Sequence, residues 1–319
     1  MPTQPPQPRL RAASSRLDER LVLDIHGVPQ IVRLIGENPA NPVLLLLHGP
    51  GFGYAALAPL FAPWAADFTL AFWDQPGAGE TARAAAAPMP LSLDRLARDG
   101  IAVAQALHAR LPGVALVAFG FSGGTVPGLM MVRSRPDLFA AYGGNGQVVN
   151  WARQAALSYA MILERARAAG DLAAVAEIEA VGPPPWPDLA GDLVRGKYAN
   201  ALTDRERQAL ADPAVQAVFA GLPADTRERS TAAFAALKLG LEAFDARALG
   251  PEFDLPMVFL QGAEDAHLVS SEVEAWAAEL RAPSVAYVPI PDAGHMSTFL
   301  VDEMAALLDR HVRPLCLKG

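Results

Sequence analysis

The segment Gly120-Phe121-Ser122-Gly123-Gly124 constrains the fold more than any other part of the chain. It follows the apolar run of residues 114–119 and precedes a helix-like stretch at residues 125–134, so the order is strand, sharp turn, helix. A serine in such a turn has an unfavourable backbone conformation, and the flanking glycines remove side chains that would collide with the strand and the helix. The turn predicts an exposed nucleophilic hydroxyl at Ser122. The five-residue pattern alone is also compatible with an ordinary turn serine.

Continuous apolar runs separated by helical patterns predict the fold around this turn. Runs that are bounded by turn residues are typical of parallel strands buried on both faces of an α/β sheet. A hairpin with strands at residues 21–25 and 30–34 is predicted ahead of them. The predicted fold class is α/β, with a mostly parallel sheet, flanking helices and an inserted helical cap. The remaining predicted strands cover residues 42–47, 68–73, 114–119, 140–149, 255–260 and 284–290.

The alternation of strands and helices stops in the middle of the chain, which predicts the domain organisation. Residues 150–249 are Ala-rich and helical in pattern, so we expect a helical cap over the carboxyl edge of the sheet, where α/β proteins bind ligands. Residues 17–149 and 250–319 form the predicted core. Residues 1–16 are rich in Pro, Gln and Arg and lack an apolar signal region, so they are interpreted as a flexible leader.

A base and an acid follow Ser122 in the order that a hydroxyl nucleophile requires. His295 lies in a loop after a predicted strand, and it is the chosen base because a serine hydroxyl needs an imidazole within hydrogen-bond reach. Asp265, a few residues beyond the strand at 255–260, is the favoured orienting acid. Glu264 is the alternative, whereas Asp292 is interpreted as a turn cap.

The other histidines are given weaker roles. His48 directly follows a buried strand and is expected to shape its own loop through backbone hydrogen bonds, and His267 is expected at the rim of the site.

An oxyanion hole needs two backbone N–H groups that point at the tetrahedral intermediate. Gly123, the residue after the nucleophile, is predicted to supply one. The second is expected from the loop at residues 48–53, but Pro50 has no N–H at the position directly after His48-Gly49. Gly51 is therefore the predicted second donor.

Composition excludes several classes of protein. The formal net charge of −8 argues against a nucleic-acid groove, which needs a clustered basic surface. The single cysteine, Cys316, excludes a disulfide framework and a thiolate metal site. We expect a cytoplasmic protein without membrane attachment, metal or cofactor, because the apolar runs are short and no phosphate-loop pattern or cluster of metal ligands is found. The oligomeric state is not predicted.

These segments together resemble the α/β-hydrolase superfamily, and within it the prolyl aminopeptidase-like (proline iminopeptidase) branch. That branch carries His-Gly-Gly-Pro-Gly after its third strand, and this chain has the shorter His48-Gly49-Pro50-Gly51. It also carries Asp-Gln-Arg-Gly-x-Gly-x-Ser, matched here by residues 74–81 with Pro76 in place of the arginine. Ser122, Asp265 and His295 match the family's triad. The cap segment after Asn150 has no acids where aminopeptidases of this branch usually recognise a free amino terminus.

The resemblance implies a serine hydrolase that forms an acyl-enzyme on Ser122 and cleaves a small-molecule or short peptide substrate, either an amide or an ester. The alternatives are a carboxylesterase or lactonase without peptidase activity, and a catalytically silent hydrolase-fold binding protein. Aromatic residues on both sides of the predicted site are expected to line an apolar substrate pocket. They are Phe52, Tyr54, Phe121, Trp151, Tyr159 and Trp186.

Overall fold

A computed structural model describes residues 16–85 and 90–317 of the chain. The predicted leader, residues 1–16, lies outside the described residues except for Arg16.

The centre of the molecule is an eight-stranded sheet with the strand order β1-β2-β4-β3-β5-β6-β7-β8. Neighbouring strands from β4 through β8 run parallel, whereas β1 pairs with β2 and β2 with β4 in antiparallel fashion. The predicted mostly parallel α/β sheet is confirmed. The strands are β1 (Leu17–Ile25), β2 (Val28–Gly36), β3 (Val43–Leu47), β4 (Thr69–Asp74), β5 (Leu116–Phe121), β6 (Ala141–Asn145), β7 (Met257–Gly262) and β8 (Val285–Ile290).

The two strands of the first hairpin and strand β6 differ most from their predicted lengths. The first hairpin turns on His26 and Gly27 alone, both with positive φ, so both of its strands are longer than predicted. Such a two-residue turn matches the twist of the paired strands. Strand β6 is shorter than predicted because it ends at Asn145, before Gly146 adopts a φ of 59°.

Twelve α-helices accompany the sheet in the described residues, and six of them, α4 to α9, lie between β6 and β7. We call this six-helix segment, residues 150–249, the cap. No helix in the described ranges combines the length and apolar character needed to cross a bilayer. The helices are α1 (Gly79–Ala84), α2 (Leu93–Arg110), α3 (Thr125–Ser134), α4 (Trp151–Ala168), α5 (Leu172–Val181), α6 (Ala190–Ala199), α7 (Asp204–Leu210), α8 (Pro213–Ala220), α9 (Thr226–Ala243), α10 (Ser270–Glu279), α11 (Val301–His311) and α12 (Arg313–Cys316).

The sheet separates two hydrophobic layers, which explains the uninterrupted apolar runs. Along β3, Leu45 belongs to the layer that packs against α2, α3 and α10, whereas Leu44 belongs to the layer that packs against α11 and the 3₁₀ segment Tyr54–Ala66. Both leucines are fully buried. Because successive side chains of a strand point to opposite faces, a strand covered on both sides needs apolar residues at every position.

Candidate active site

The turn after β5 holds Ser122 in a strained conformation. Its φ is 51°, which is uncommon for a residue with a side chain, and the turn joins β5 to α3. A Cβ built on Gly120 would lie 2.6 Å from the Thr125 Cα, and one on Gly124 would lie 2.1 Å from the Leu47 carbonyl oxygen. Only glycine fits at these two positions, so the predicted sharp turn is found where the sequence places it.

Three polar side chains meet at the carboxyl edge of the sheet, following β5, β7 and β8. The Ser122 Oγ lies 3.0 Å from the His295 Nε2, and the His295 Nδ1 lies 2.9 Å from the Asp265 Oδ2. Glu264, the alternative acid, is exposed to solvent, and so is Asp292. The structure thus brings together the predicted hydroxyl, imidazole and carboxylate in one hydrogen-bonded chain, which is the arrangement that activates a serine by proton transfer.

The carboxylate of Asp265 is held from several directions. Its Oδ1 accepts the backbone N–H groups of His267 at 2.8 Å and of Leu268 at 2.9 Å. Its Oδ2 accepts the amide of Gln261 at 2.9 Å in addition to the His295 ring. A carboxylate only accepts hydrogen bonds, so the neutral His295 ring donates to it from Nδ1. The His295 Nε2 is then the nitrogen that can accept the Ser122 proton. Gln261 was not predicted as a site residue. Its position four residues before Asp265 could have indicated that it contacts the acid.

A second imidazole lies against the first. The rings of His267 and His295 have centroids 4.6 Å apart, and the half-buried His267 lines the same pocket as Ser122. Its expected place at the rim of the site stays a prediction. Burial holds the pKa of His267 well below its ordinary value, and the nearby charges of Arg195 and His295 act in the same direction. His267 is therefore neutral at pH 7.

The histidine after β3 makes the backbone hydrogen bonds that a loop-shaping role requires. The His48 Nδ1 donates to the Gly49 carbonyl oxygen at 2.7 Å, and its Nε2 accepts the Gln75 backbone N–H at 3.2 Å. Burial lowers the pKa of His48 to about 4, so the ring stays neutral in the folded protein. It fixes the loop that faces Ser122.

The two predicted oxyanion donors differ in their placement. Gly123 follows the nucleophile, and a Cβ built on it would lie 2.8 Å from the Cδ of Pro50. Gly51, with a φ of 68°, turns toward helix α9, where a Cβ on it would lie 2.6 Å from the Ser230 Cα. It lines a separate pocket beside Asp74. This placement argues against the predicted Gly51 donor, because the turn set by Pro50 directs Gly51 toward the cap.

A pocket of about 600 Å³ opens above Ser122. Of the predicted lining residues, it contains Phe52, Tyr54 and Phe121. Burial raises the pKa of Tyr54 far above its ordinary value, so its hydroxyl keeps its proton. No Asp, Glu, Lys or Arg belongs to this lining within the described ranges. The lining residues that the sequence analysis missed include Asn145 and, from the cap, Asn200, Leu202, Leu210 and Phe219.

The other three predicted aromatic residues lie elsewhere. Trp151 is buried, and the Arg195 Cζ lies over its indole ring, 5.0 Å from the ring centroid. The Trp151 and His267 rings also meet edge to face. Tyr159 lines a separate depression on α4, and Trp186 packs on Gly191 while its indole N–H donates to the Gly182 carbonyl oxygen. These placements correct the pocket prediction, because the helical period alone does not tell which face of a cap helix meets the sheet.

Comparison with known proteins gives a consistent assignment. Residues 44–310 match the model of the alpha/beta hydrolase family. The chain is similar to the probable aminopeptidase YbaC of Bacillus subtilis strain 168, with 27% identity over 91% of this chain and 95% of the relative.

Two solved structures share the fold. One is a proline iminopeptidase-related protein from Thermus thermophilus, with a TM-score of 0.63 and 22% identity over 94% of this chain and 99% of the other. The second is a thermophilic esterase from Thermogutta terrifontis, with a TM-score of 0.61 and 19% identity over 95% of this chain and 100% of the other. The predicted resemblance to prolyl aminopeptidase-like α/β hydrolases is confirmed.

Proposed function

We propose, from the premise that this chain belongs to the alpha/beta hydrolase family, that it is a serine hydrolase that cleaves uncharged esters with an apolar acyl group. The hydrogen-bonded sequence from Ser122 through His295 to Asp265 carries the proposal. The apolar pocket above it, with no ionisable lining in the described ranges except the two histidines and Tyr54, supports the choice of an uncharged substrate.

The chemistry follows from the positions of the protons. As the Ser122 Oγ attacks the carbonyl carbon of the ester, the His295 Nε2 takes the hydroxyl proton, and Asp265 stabilises the resulting imidazolium. The tetrahedral oxyanion is stabilised by the Gly123 N–H. The intermediate collapses when the carbon–oxygen bond to the alcohol breaks and His295 returns the proton to that alcohol. A water molecule then attacks the acyl-enzyme while His295 takes one of its protons. The ester bond to Ser122 breaks, His295 returns the proton to the Ser122 Oγ, and the acid is released.

The pocket supports an ester substrate over one with a free amino terminus. An ammonium group in an apolar pocket costs several kcal/mol unless a carboxylate pairs with it. Glu206, a buried acid of the cap, already accepts two backbone N–H groups with its two oxygens. The first charged residue of the cap, Arg153, is a cation that pairs with Glu272 outside the pocket lining, so it offers no carboxylate to an ammonium group.

A second candidate is an aminopeptidase that removes an amino-terminal proline. The similarity to a probable aminopeptidase over nearly the whole chain favours it. Both candidates use the same three side chains and differ in what the cap must recognise.

Hydrolysis of two chromogenic substrates separates these functions. We expect p-nitrophenyl butyrate to be cleaved and proline p-nitroanilide to remain intact, with Ser122→Ala as the inactive control. Cleavage of the anilide with a higher kcat/KM than the ester would establish the aminopeptidase. If neither substrate nor a panel of aryl esters and lactones is cleaved by the folded wild-type protein, the hydrolase proposal fails.

A further inference from the structure

The loop that carries His295 is held from two sides. From the core, the Ala293 carbonyl oxygen accepts the Glu264 N–H at 2.9 Å, and the Gly294 carbonyl oxygen accepts the Ser297 N–H at 3.3 Å. The Gly294 N–H, directly before His295, donates to the cap: its acceptor is the Glu206 Oε1 at 2.8 Å. This hydrogen bond connects cap helix α7 to the backbone directly before His295.

Glu206 is fully buried and makes two kinds of contact. Its Oε2 accepts the Thr203 backbone N–H at 2.9 Å, while the Thr203 hydroxyl accepts the Glu206 N–H, so the two residues form a capping box. This local motif requires only one carboxylate oxygen. The other oxygen accepts from Gly294, 88 positions away, and the helix start alone does not require that bond.

The neighbouring residue on α7 reaches the same loop. The Arg205 Nη1 donates to the Pro291 carbonyl oxygen at 2.5 Å, and its guanidinium also pairs with Glu303 on α11. Two consecutive side chains of α7 therefore hold the beginning and the end of residues 291–294. No other cap helix makes a hydrogen bond to these four residues among the bonds found in the described ranges.

We infer that Glu206 is a positioning residue, through which the cap sets the orientation of the His295 imidazole. The inference rests on the proposed function, since it concerns the base of that reaction. The His295 Nε2 must stay near its 3.0 Å distance from the Ser122 Oγ, and a displacement of about 1 Å at a reacting group can cost about 10²-fold in rate. Release of the Gly294 N–H lets the loop move by such an amount.

The test compares Glu206→Ala with Thr203→Ala in the full-length protein. Glu206→Ala removes the bond to Gly294, whereas Thr203→Ala removes the hydroxyl cap and keeps the carboxylate. We expect Glu206→Ala to lower kcat on p-nitrophenyl butyrate by about 10²-fold with KM within about threefold of wild type, and Thr203→Ala to keep kcat within about threefold. Thermal unfolding of both variants measures how much stability is lost when the N-terminal capping box of helix α7 is removed.

The outcomes are distinct. Equal losses of kcat in the two variants, or a Glu206→Ala variant with wild-type kcat, would overturn the inference. If Glu206→Ala does not fold, Glu206→Leu is used, because its side chain fills a similar volume and has no acceptor for the Gly294 N–H. For that variant, a loss of about tenfold supports the inference, and no loss contradicts it. A wild-type protein that cleaves no ester and does not react with a fluorophosphonate shows that the proposed function itself has failed.

Discussion

Two buried aspartates, one in the core and one in the cap, are held in different ways. Asp265 accepts four hydrogen bonds, two of them from backbone N–H groups of its own loop. Asp192 in the cap accepts from the Lys238 ammonium at 2.8 Å, but its Oδ1 has no hydrogen bond, with the Arg195 guanidinium 3.8 Å away. The core carboxylate is fixed by the backbone, whereas the cap carboxylate depends on long charged side chains.

The difference agrees with the proposed reaction, in which Asp265 orients the His295 imidazole. A group that orients a catalytic imidazole must be held before the substrate arrives, and backbone donors provide that rigidity. Side-chain ion pairs can rearrange without moving a strand or a helix. We therefore expect changes at Asp265 to affect the chemical step and changes at Asp192 to affect stability.

The largest expected effect belongs to Asp265→Asn. An asparagine can offer its N–H₂ group to the His295 Nδ1, which favours the tautomer that cannot take the Ser122 proton. We expect kcat to fall by about 10⁴-fold, as measured by ester kinetics. The N–H₂ group would also face the Gln261 amide donor, so calorimetry should show a lower unfolding temperature. A loss below about tenfold would mean that Asp265 does not orient the base.

In the cap, Lys238→Met is expected to lower the free energy of unfolding by about 3 kcal/mol, since it leaves Asp192 buried without its ammonium partner. Urea unfolding measures the change. Glu242→Gln serves as the control: it removes the more exposed carboxylate that pairs with Lys238, so it should lower the free energy of unfolding by about 1 kcal/mol or less. A Lys238→Met variant as stable as wild type would show that the pair is solvated.

The buried His48 makes the stability of the core sensitive to acid. Its pKa is about 4 in the folded protein, below the 6.5 of an unperturbed histidine, so the unfolded chain binds a proton first as the pH falls. Stability is lost between pH 6.5 and about pH 4, by about 3 kcal/mol in total from this group. His48→Gln should reduce the difference in unfolding free energy between the neutral and the acidic end of this range. An unchanged difference would contradict the assignment.

Pro50 lies at the boundary between the two regions. Its Cδ, bonded to the nitrogen that lacks a hydrogen, lies beside Gly123, and its carbonyl oxygen accepts the Ser230 hydroxyl of the cap at 2.9 Å. Pro50→Ala supplies an N–H where the ring now lies. We expect kcat for the ester to rise by about tenfold, below the roughly 10²–10³-fold that a well-placed donor contributes. An unchanged kcat, with a folded variant, would show that the second donor comes from another residue.

The smallest effect is expected in the cap, at Gly196 on α6. A Cβ there would meet nothing closer than the Asn200 side chain at 3.8 Å, so alanine fits. Gly196→Ala should raise the unfolding free energy by about 0.5–1 kcal/mol and leave kcat unchanged. Destabilisation of similar size would mean that the helix is strained at this position.

The core could be predicted from the sequence because its signals are local. Gly120 and Gly124 indicate the turn, and the apolar runs indicate the strands. The carboxyl ends of parallel strands share one edge, so Ser122, Asp265 and His295 could be placed together from the sequence.

The pocket could be predicted only in part. Phe52 and Tyr54 follow β3, Phe121 ends β5, and all three line the pocket. The predicted aromatic residues of the cap lie on helices or loops whose orientation depends on long-range packing. The direction of Gly51 depends on the turn at Pro50 and the contact with α9. The bond from Glu206 to Gly294 joins residues with no sequence pattern in common, so no local signal could have predicted it.

The central claim is that Ser122 is the nucleophile activated by His295. The direct measurement is peptide mass spectrometry of the wild-type protein after inactivation by a fluorophosphonate, with His295→Ala treated in parallel. We expect one phosphonyl group on Ser122 of the wild-type protein. In His295→Ala, the rate of labelling should be lower by at least about 10³-fold. Labelling of another residue with loss of activity, or equal labelling rates in the two proteins, would contradict it.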